Sequence, residues 1–235
     1  MQLVLVKKKK EAKNTKSFFF KPVKPFNWIP GEFLYITIPK LNHKDTRGST
    51  RHFTIANSPT ENKYIQITTR IREGSGFKKT LDELEVGDAV EGKGPQGSFI
   101  FKQKTFKENN HVFLAGGIGI TPFRSVIKRN IDKSIQIPIH LIYSNSDNEF
   151  VFKKELDSWE KENDFLKIDY INTSKDGRIN KDKLLHLFSK KDENDMSDTK
   201  FWIVGPPAFV SAIEEIFEKM KIKDSSIETE KFSGY

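Results

Sequence analysis

The chain of 235 residues contains no cysteine. Disulfides, thiolate-ligated zinc and iron–sulfur clusters held by four cysteines are therefore excluded within this polypeptide. Any redox chemistry that the protein carries out must have another source.

Long hydrophobic runs are also missing. No stretch approaches the roughly 18 apolar residues that cross a bilayer, and the N-terminus lacks the apolar core of a signal peptide. We therefore expect a cytoplasmic protein without a membrane span. The five histidines show no metal-ligand spacing and no Gly-x-Ser-x-Gly occurs, so metal-dependent hydrolysis and acyl transfer have no support and no metal is expected.

Charge is abundant: 31% of the residues are charged, and the formal net charge is +8. Lysine and arginine are spread along the whole chain, and the densest cluster, Lys7–Lys10, is short. No nucleic-acid recognition motif accompanies this cluster, which favours a solvated turn or strand end over a nucleic-acid site. A basic surface does favour an acidic partner by electrostatic steering.

The first hundred residues have the pattern of an antiparallel β-barrel or sandwich. Short apolar runs alternate with turn signals such as Pro-Gly at 30–31 and Gly-Pro at 94–95. A short helix is predicted at Leu81–Leu84. The predicted strands are Leu3–Val6, Ser17–Phe20, Phe33–Ile38, His52–Ala56, Tyr64–Arg70, Ala89–Glu91 and Ser98–Phe101.

After a polar linker at Lys102–Asn110, apolar strands alternate with amphipathic helices. This alternation predicts a doubly wound α/β domain, a parallel sheet covered by helices on both faces, with a nucleotide site at the carboxyl ends of its strands. The predicted domains are residues 1–104 and 105–235. The predicted strands are His111–Ala115, Ile137–Ser144, Leu166–Thr173, Phe201–Val204 and Ser226–Phe232, and the predicted helices are Pro122–Asn130, Phe152–Glu162, Asn180–Ser189 and Ala208–Met220.

The segment Arg51-His52-Phe53-Thr54-Ile55-Ala56-Asn57-Ser58 has, on spacing alone, the pattern of any half-buried strand. Strand residues of like parity point the same way, so Arg51 and Phe53 share a face. An arginine there can pair with a pyrophosphate in bidentate fashion while the ring packs beside a flavin or ribose.

A second candidate anion site lies in the Gly-rich turn from Arg70 to Leu81. A turn that leads into a helix N-terminus collects anions through its backbone N–H groups, although an ordinary strand-to-helix turn is an equally good interpretation of the residues. Gly76, Phe77 and Lys78 are the best backbone donors, and Ser75 and Thr80 are hydroxyl candidates.

A third motif follows the strand His111–Ala115 and reads Gly116-Gly117-Ile118-Gly119-Ile120-Thr121-Pro122. Its glycines let backbone approach a pyrophosphate closely, Thr121 is a good N-cap and Pro122 suits the first helical turn. Val204-Gly205-Pro206-Pro207 ends another strand in the same way. A lone Gly-rich turn is weak evidence, so its value depends on the other motifs.

Taken in order, these motifs resemble the ferredoxin–NADP reductase superfamily, in a form without an iron–sulfur domain. The matches are Arg-x-Phe-Thr at 51–54, Gly-Pro-x-Gly-x-Phe at 94–99, Gly-Gly-x-Gly-x-Thr-Pro at 116–122 and the terminal Glu230-Lys231-Phe232-Ser233-Gly234-Tyr235. The resemblance implies an FAD-binding barrel followed by an NAD(P)-binding domain. It also implies hydride exchange between NADH or NADPH and FAD, with electrons passed on to an acceptor.

The resemblance also assigns roles to residues. Thr54, expected near flavin N5, Glu230 and Tyr235 are the catalytic candidates, and Thr121 is expected near the nicotinamide. The FAD-binding candidates are Arg51, His52, Phe53, Thr54, Thr69, Arg70, Gly74, Ser75, Gly76, Phe77, Lys78 and Thr80. The dinucleotide-binding candidates are Gly116, Gly117, Gly119, Thr121, Pro122, Ser144, Asn145, Gly205, Pro206 and Pro207, and the terminal Phe232 and Tyr235 are expected to cover the flavin ring.

The chain departs from the family pattern at several positions. Phe53 lacks the hydroxyl of the commoner Tyr, and Val204 stands where the family usually has Cys. Ser146 stands where relatives often carry Arg, and the acidic Asp147 follows it, which disfavours a 2′-phosphate and favours NADH slightly. Arg178 can still supply a charge from the next loop.

The expected acceptor is a separate acidic carrier such as a ferredoxin or flavodoxin, since the chain has a positive net charge and no cysteine for an internal cluster. Two alternatives stay open. One is a flavin or quinone reductase, and the other is a non-catalytic nucleotide-sensing or electron-transfer subunit of a larger complex.

Overall fold

The computed structural model describes residues 1–101, 110–188 and 198–233. The chain divides into two compact units, Met1–Ile100 with Thr121–Asp132, and Phe101–Ile120 with Lys133–Tyr235. The predicted boundary at 104/105 lies outside the described residues and stays a prediction.

The first unit is built on a six-stranded antiparallel sheet with the strand order β4-β3-β6-β1-β2-β5. Its sequence pattern agrees with this arrangement, because alternate residues in parts of β1, β2 and β3 are apolar and buried. Leu3 and Leu5 of β1, Phe18 and Phe20 of β2, and Leu34 of β3 are all fully buried. The strands are β1 (Gln2–Ala12), β2 (Thr15–Pro22), β3 (Phe33–Thr37), β4 (Thr50–Thr54), β5 (Ile65–Arg70) and β6 (Ala89–Gln96).

The two edge strands of this sheet are joined by the segment that follows β4. The Ala56 N–H donates to the carbonyl of Gln66 at 2.8 Å, and the Gln66 N–H donates to Asn57 Oδ1 at 2.7 Å. The Asn57 amide in turn donates to the carbonyls of Glu61 and Tyr64 at 3.0 and 2.7 Å. The sheet therefore curls until its edges are bonded to each other, as in a barrel.

Three expectations for the first unit need correction. The helix α1 covers Gly76–Glu83 instead of Leu81–Leu84, because Ser75 caps it five residues earlier. Lys7–Lys10 lies within β1 and pairs with β2, so this cluster is neither a turn nor a strand end. Ser98–Phe101 is not a strand. Phe99 is buried, but in irregular backbone, so the apolar residues here indicate burial in the core and not pairing with another strand.

The helix α2 (Ile120–Asp132) is held to the first unit by two buried polar side chains. Arg124 donates to the carbonyl of Ala56 at 3.1 Å and forms an ion pair with Glu61 at 3.0 Å. The Ser125 hydroxyl donates to the carbonyl of Asn57 at 2.8 Å. The helix is thus bonded to the segment that joins the sheet edges.

The second unit contains a five-stranded parallel sheet with the order β11-β10-β7-β8-β9. Its central strands are nearly continuous in burial, as expected for a sheet with covered faces. The strands are β7 (Asn110–Gly116), β8 (Ile139–Asn145), β9 (Leu166–Asn172), β10 (Thr199–Gly205) and β11 (Ile227–Lys231). The helices are α3 (Lys153–Glu162), α4 (Thr173–Asp176), α5 (Lys181–Leu187) and α6 (Pro207–Lys219).

The strand order creates a topological switch point beside β7. The chain continues from β7 to β8 and β9 on one side, and then returns to place β10 and β11 on the other. Such a reversal leaves a crevice at the carboxyl ends of the two diverging strands, and nucleotides bind open α/β sheets there. The carboxyl ends of β7 and β10 carry Gly116 and Gly205.

Within the described residues, no helix is long and apolar enough to cross a membrane. The cytoplasmic location stays a prediction.

Replacing Arg124 with Ala should lower the free energy of unfolding by about 2–3 kcal/mol, because it removes a buried guanidinium from its ion pair with the partly exposed Glu61 and leaves the carbonyl of Ala56 without its donor. Urea unfolding measures this loss. The matched control is Lys128→Ala on the same helix, where a surface pair with Asp132 is lost and a change within about 0.5 kcal/mol is expected. Equal effects of the two substitutions would contradict the role given to Arg124.

Candidate functional site

Arg51, on β4, is the central cation of the first unit, and its side chain is 9% exposed. Its Nη1 donates to three backbone carbonyls, those of Arg47, Gly48 and Thr50, at 2.9, 3.0 and 2.7 Å. Its Nη2 donates to the carboxylate of Asp45 at 2.5 Å. One nitrogen of the guanidinium is therefore fixed by the main chain, and the other is directed at an anion.

Besides Arg51, three further groups donate hydrogen bonds to the carboxylate of Asp45. It accepts from the N–H of Phe77 and of Arg47, both at 2.9 Å, and from the hydroxyl of Ser75 at 3.0 Å. Burial alone would raise the pKa of Asp45, but these hydrogen bonds and the charge of Arg51 outweigh it and lower the pKa to about 2. The site is thus a strong anion-binding site at the N-terminus of α1.

Sequence reasoning expected an anion site built from Arg51 and residues 74–80, and the structure brings Arg51, Ser75 and Phe77 together. It did not anticipate Asp45. The available sign was the stretch Asp45-Thr46-Arg47-Gly48, in which an aspartate begins a turn by accepting from the backbone two residues on, as it does here from Arg47.

Arg51 and Phe53 both contact the ring of Phe77, as expected for two residues on the same face of β4. The guanidinium lies 5.3 Å from the centroid of the Phe77 ring, and the Phe53 ring stacks on the same ring at 6.0 Å. Phe53 is 2% exposed and belongs to the core of the first unit, and Thr54 is buried as well. His52 points to the opposite face, where its ring contacts Phe33. Contact of Phe53 or Thr54 with a flavin stays a prediction.

The remaining flavin-site candidates are placed in different ways. Thr69 is fully buried, and among the described residues its hydroxyl has no hydrogen-bond partner. The Thr80 hydroxyl is bonded inside the unit, donating to the carbonyl of Gly76 and accepting from the N–H of Asn42. Arg70 is half-buried, and Gly74 is exposed with open space around it.

Cations surround this anion site. Lys78 is 4% exposed, and its pKa is lowered to about 8 by burial and then by the charges of Arg72, Arg51, Arg47 and Arg70. A bound polyanion would relieve this repulsion. Together with the donor set of Arg51, Ser75 and Phe77, the surroundings fit the pyrophosphate of the predicted FAD.

The second unit brings two Gly-rich strand ends into close approach. A Cβ on Gly119 would lie 2.2 Å from the carbonyl oxygen of Val204, and one on Gly205 would lie 3.1 Å from the Cα of Gly116. Only glycine fits at Gly119, because a side chain would meet backbone that cannot move. These glycines allow the two strand ends and the Phe209 ring to pack closely at the switch point, where the dinucleotide is predicted to bind.

Two predictions about the loop after β7 can be compared with the structure. The helix α2 begins at Ile120, so Thr121 lies in its first turn and is not the N-cap; Pro122 does lie in the first turn. Thr121 is buried and grouped with the first unit, and its place near the nicotinamide stays a prediction. Pro206 and Pro207 occupy the N-cap and first positions of α6.

Ser144 and Asn145 lie at the carboxyl end of β8, and Ser144 pairs with Gly116 of the neighbouring strand. The Asn145 amide donates to the Asp147 carboxylate at 2.8 Å, and the same carboxylate oxygen accepts from the Glu149 N–H at 2.8 Å. Asp147 is therefore fixed just after β8, where its carboxylate was predicted to disfavour a 2′-phosphate.

Glu230, on β11, is the predicted catalytic carboxyl. Its Oε2 is buried, with no hydrogen-bond partner among the described residues, and burial raises the pKa of the carboxyl to about 7. Phe232 is 5% exposed and donates its N–H to the carbonyl of Gly205 at 2.9 Å. Tyr235 lies outside the described residues.

Comparison with known families identifies two domains in this chain. Residues 2–101 match the model of the oxidoreductase FAD-binding domain, and residues 113–215 match that of the oxidoreductase NAD-binding domain. These matches agree with the resemblance found in the motifs and with the cofactors expected from it.

Individual relatives give the same result. Flavohemoprotein A of Dictyostelium discoideum is 29% identical over 91% of this chain, and the anthranilate 1,2-dioxygenase electron transfer component of Acinetobacter baylyi is 25% identical over 89%. The chain spans 55% and 60% of the lengths of these two relatives. The solved FAD/NAD-binding domain of a nitric oxide dioxygenase from Vibrio cholerae superposes with a TM-score of 0.80 at 16% identity, covering 98% of both chains, and has the same fold.

The raised pKa of Glu230 makes the stability of the protein depend on pH. A carboxyl whose pKa is about 7 when folded, against 4.5 ordinarily, stabilises the fold while protonated and loses that contribution as the pH rises through about 7. Glu230→Gln should therefore gain on the order of 1–2 kcal/mol relative to wild type between pH 5 and pH 8, measured by urea unfolding.

The control for this experiment is Glu228→Gln, which changes an exposed carboxyl on the same strand and should leave the pH dependence of wild type unchanged. A difference between wild type and Glu230→Gln that stays constant from pH 5 to pH 8 would contradict the assignment.

Proposed function

This chain belongs to the ferredoxin reductase-like family of oxidoreductases, and from that premise we propose that it carries electrons from a reduced nicotinamide dinucleotide, through FAD, to a separate acidic carrier. FAD and a nicotinamide dinucleotide are its cofactors. The single observation that supports this most is the anion site of Arg51, Ser75 and Phe77 inside the FAD-binding domain.

Bound FAD supplies the chemistry of accepting a hydride from NAD(P)H and releasing electrons singly or in pairs. The protein's own contribution is to bind and orient. Arg51 Nη2, the Ser75 hydroxyl and the Phe77 N–H would hold the pyrophosphate, and the buried hydroxyl of Thr69 is a donor without a partner among the described residues. Thr54 is the candidate for the flavin ring itself.

In the second unit, the dinucleotide would bind at the carboxyl ends of β7 and β10, where Gly116–Gly119 and Gly205 lie, with the Ser144–Asn145 strand end beside it. Glu230 would hold a proton at its carboxyl up to a pH of about 7, because burial disfavours its charged form. A carboxyl in this condition can donate a hydrogen bond or a proton at neutral pH.

We base the proposed class of electron acceptor on the net charge of this chain. The net charge of +8 favours an anionic partner, and the similarity to a relative named as the electron transfer component of anthranilate 1,2-dioxygenase supports a role in supplying electrons to another protein. A ferredoxin or a flavodoxin has the required acidic character. The rival acceptor is a small uncharged molecule, a free flavin or a quinone.

Carrier reduction should slow as ionic strength rises, since attraction between unlike charges is screened within about 10 Å at 0.1 M salt. Stopped-flow reduction of an added ferredoxin or flavodoxin by the FAD-loaded protein and NADH measures this rate. Reduction of FAD by NADH in the same samples is the control and should change much less.

A carrier rate that is flat from low to high salt, or slower than the reduction of free flavin, would replace the carrier proposal with the flavin-reductase alternative. A colourless protein that binds NADH without turnover would support the non-catalytic alternative.

The dinucleotide preference is proposed to be NADH, because Asp147 is fixed beside the loop where a 2′-phosphate would need a cation. Ser146→Arg should raise kcat/KM for NADPH at least tenfold and leave that for NADH nearly unchanged. Ser225→Arg, which adds the same charge at another exposed serine of the second unit, is the control. A wild-type kcat/KM at least tenfold higher with NADPH than with NADH would overturn the preference.

A further inference from the structure

We infer that Asp45 is an internal competitor of the cofactor: its carboxylate takes the donors that the FAD pyrophosphate needs, so that FAD binds only by displacing it. This inference rests on the proposed function of the same site. It gives Asp45 control over how tightly and how quickly the protein is loaded with flavin.

The first step of the argument is the convergence of donors. Arg51 Nη2, the Ser75 hydroxyl and the Phe77 N–H are the three groups best placed for a phosphate, and all three are bonded to one carboxylate at 2.5–3.0 Å. A carboxylate and a phosphate oxygen compete for such donors because each is an anionic acceptor of similar geometry. Both cannot hold the same three hydrogen bonds.

The second step is that Arg51 does not need Asp45 to stay in place. Three carbonyls, of Arg47, Gly48 and Thr50, hold its Nη1. If the carboxylate left, the guanidinium would keep its position and present Nη2 to another anion. Ser75 would likewise keep its place, since its hydroxyl oxygen also caps α1 by accepting from the Lys78 N–H at 3.3 Å.

The third step concerns what can displace the carboxylate. With its pKa near 2, Asp45 stays ionised at any pH at which the protein works, so protonation does not release it. Arg47, Arg51, Arg70, Arg72 and Lys78 lie close enough together to lower the pKa of Lys78. These cations favour a dianionic pyrophosphate over a single carboxylate, so the exchange is one anion for another.

The fourth step is the position of Asp45 on the irregular loop between β3 and β4, residues 38–49. The backbone of this loop lies directly on the first residue of α1, because a Cβ on Gly76 would be 2.4 Å from the carbonyl oxygen of Lys44 and 2.5 Å from that of His43. Gly76 therefore allows the loop to approach, and the loop delivers the carboxylate to the helix N-terminus.

The test is Asp45→Asn, which removes the charge and keeps the size. Its dissociation constant for FAD, measured by quenching of flavin fluorescence, should fall at least tenfold below that of wild type, and FAD release should slow. Riboflavin, which has no phosphate, should bind both proteins equally. Asp88→Asn is the matched control, since Asp88 also accepts from a backbone N–H in the same unit but away from the site.

Inorganic pyrophosphate provides a readout that does not depend on flavin. It should raise the Tm of Asp45→Asn more than that of wild type. If neither protein binds FAD but the variant gains pyrophosphate binding, the FAD assignment fails, and Asp45 is a competitor of another phosphate ligand and not of FAD. If both proteins bind FAD equally, the proposed function stands and the competitor role fails.

Weaker FAD binding by a folded Asp45→Asn would also overturn the inference, because it would show that the carboxylate supports the site. So would a failure of both Asp45→Asn and Asp45→Ala to fold. The charge-keeping variant Asp45→Glu should stay within about threefold of wild type in FAD affinity, because it keeps the competing negative charge.

Discussion

The first unit depends on the hydrogen bonds that the buried backbone at Ile55–Asn57 forms with its surroundings. The Ile55 N–H bonds to Glu32, the Ala56 N–H bonds to Gln66, and the carbonyl of Asn57 accepts from the side chains of Trp28 and Ser125. Buried backbone groups are costly unless they are bonded, so this short segment fixes its surroundings. This segment continues the edge strand β4 and is hydrogen-bonded to the other edge strand, β5, and to the helix α2.

The donors of the anion site lie on elements that are held in place by this segment and by the sheet. Arg51 lies four residues before Ile55, on the strand β4 that leads into this segment, and β4 is paired along its whole length with β3. The opposite side of the site is supplied by α1, whose first turn is held by the Ser75 cap. A strand and a helix N-terminus therefore present their donors from fixed positions, and this is the condition for recognising a phosphate through fine geometry.

The sequence predicted those parts that follow from local periodicity and from residues with one physical use. The two fold classes came from the change in apolar period after residue 101. The need for glycine at Gly119 was also predicted, but the close approach was assigned to a pyrophosphate, whereas in the structure it is to the backbone of Val204. Asp45 could not be found, since its partners come from a turn, a strand and a helix that only the fold brings together. The false strand at Ser98–Phe101 has a related cause: burial and pairing give the same apolar pattern.

The three carbonyls that accept from Arg51 Nη1 bear on whether the protein folds before or after it binds its cofactor. A guanidinium with four internal acceptors carries no unmatched charge into the interior, so the first unit can fold before any cofactor arrives. Loading is then a separate and later event. The charge of Arg51 therefore gives the first unit no reason to wait for flavin before it folds.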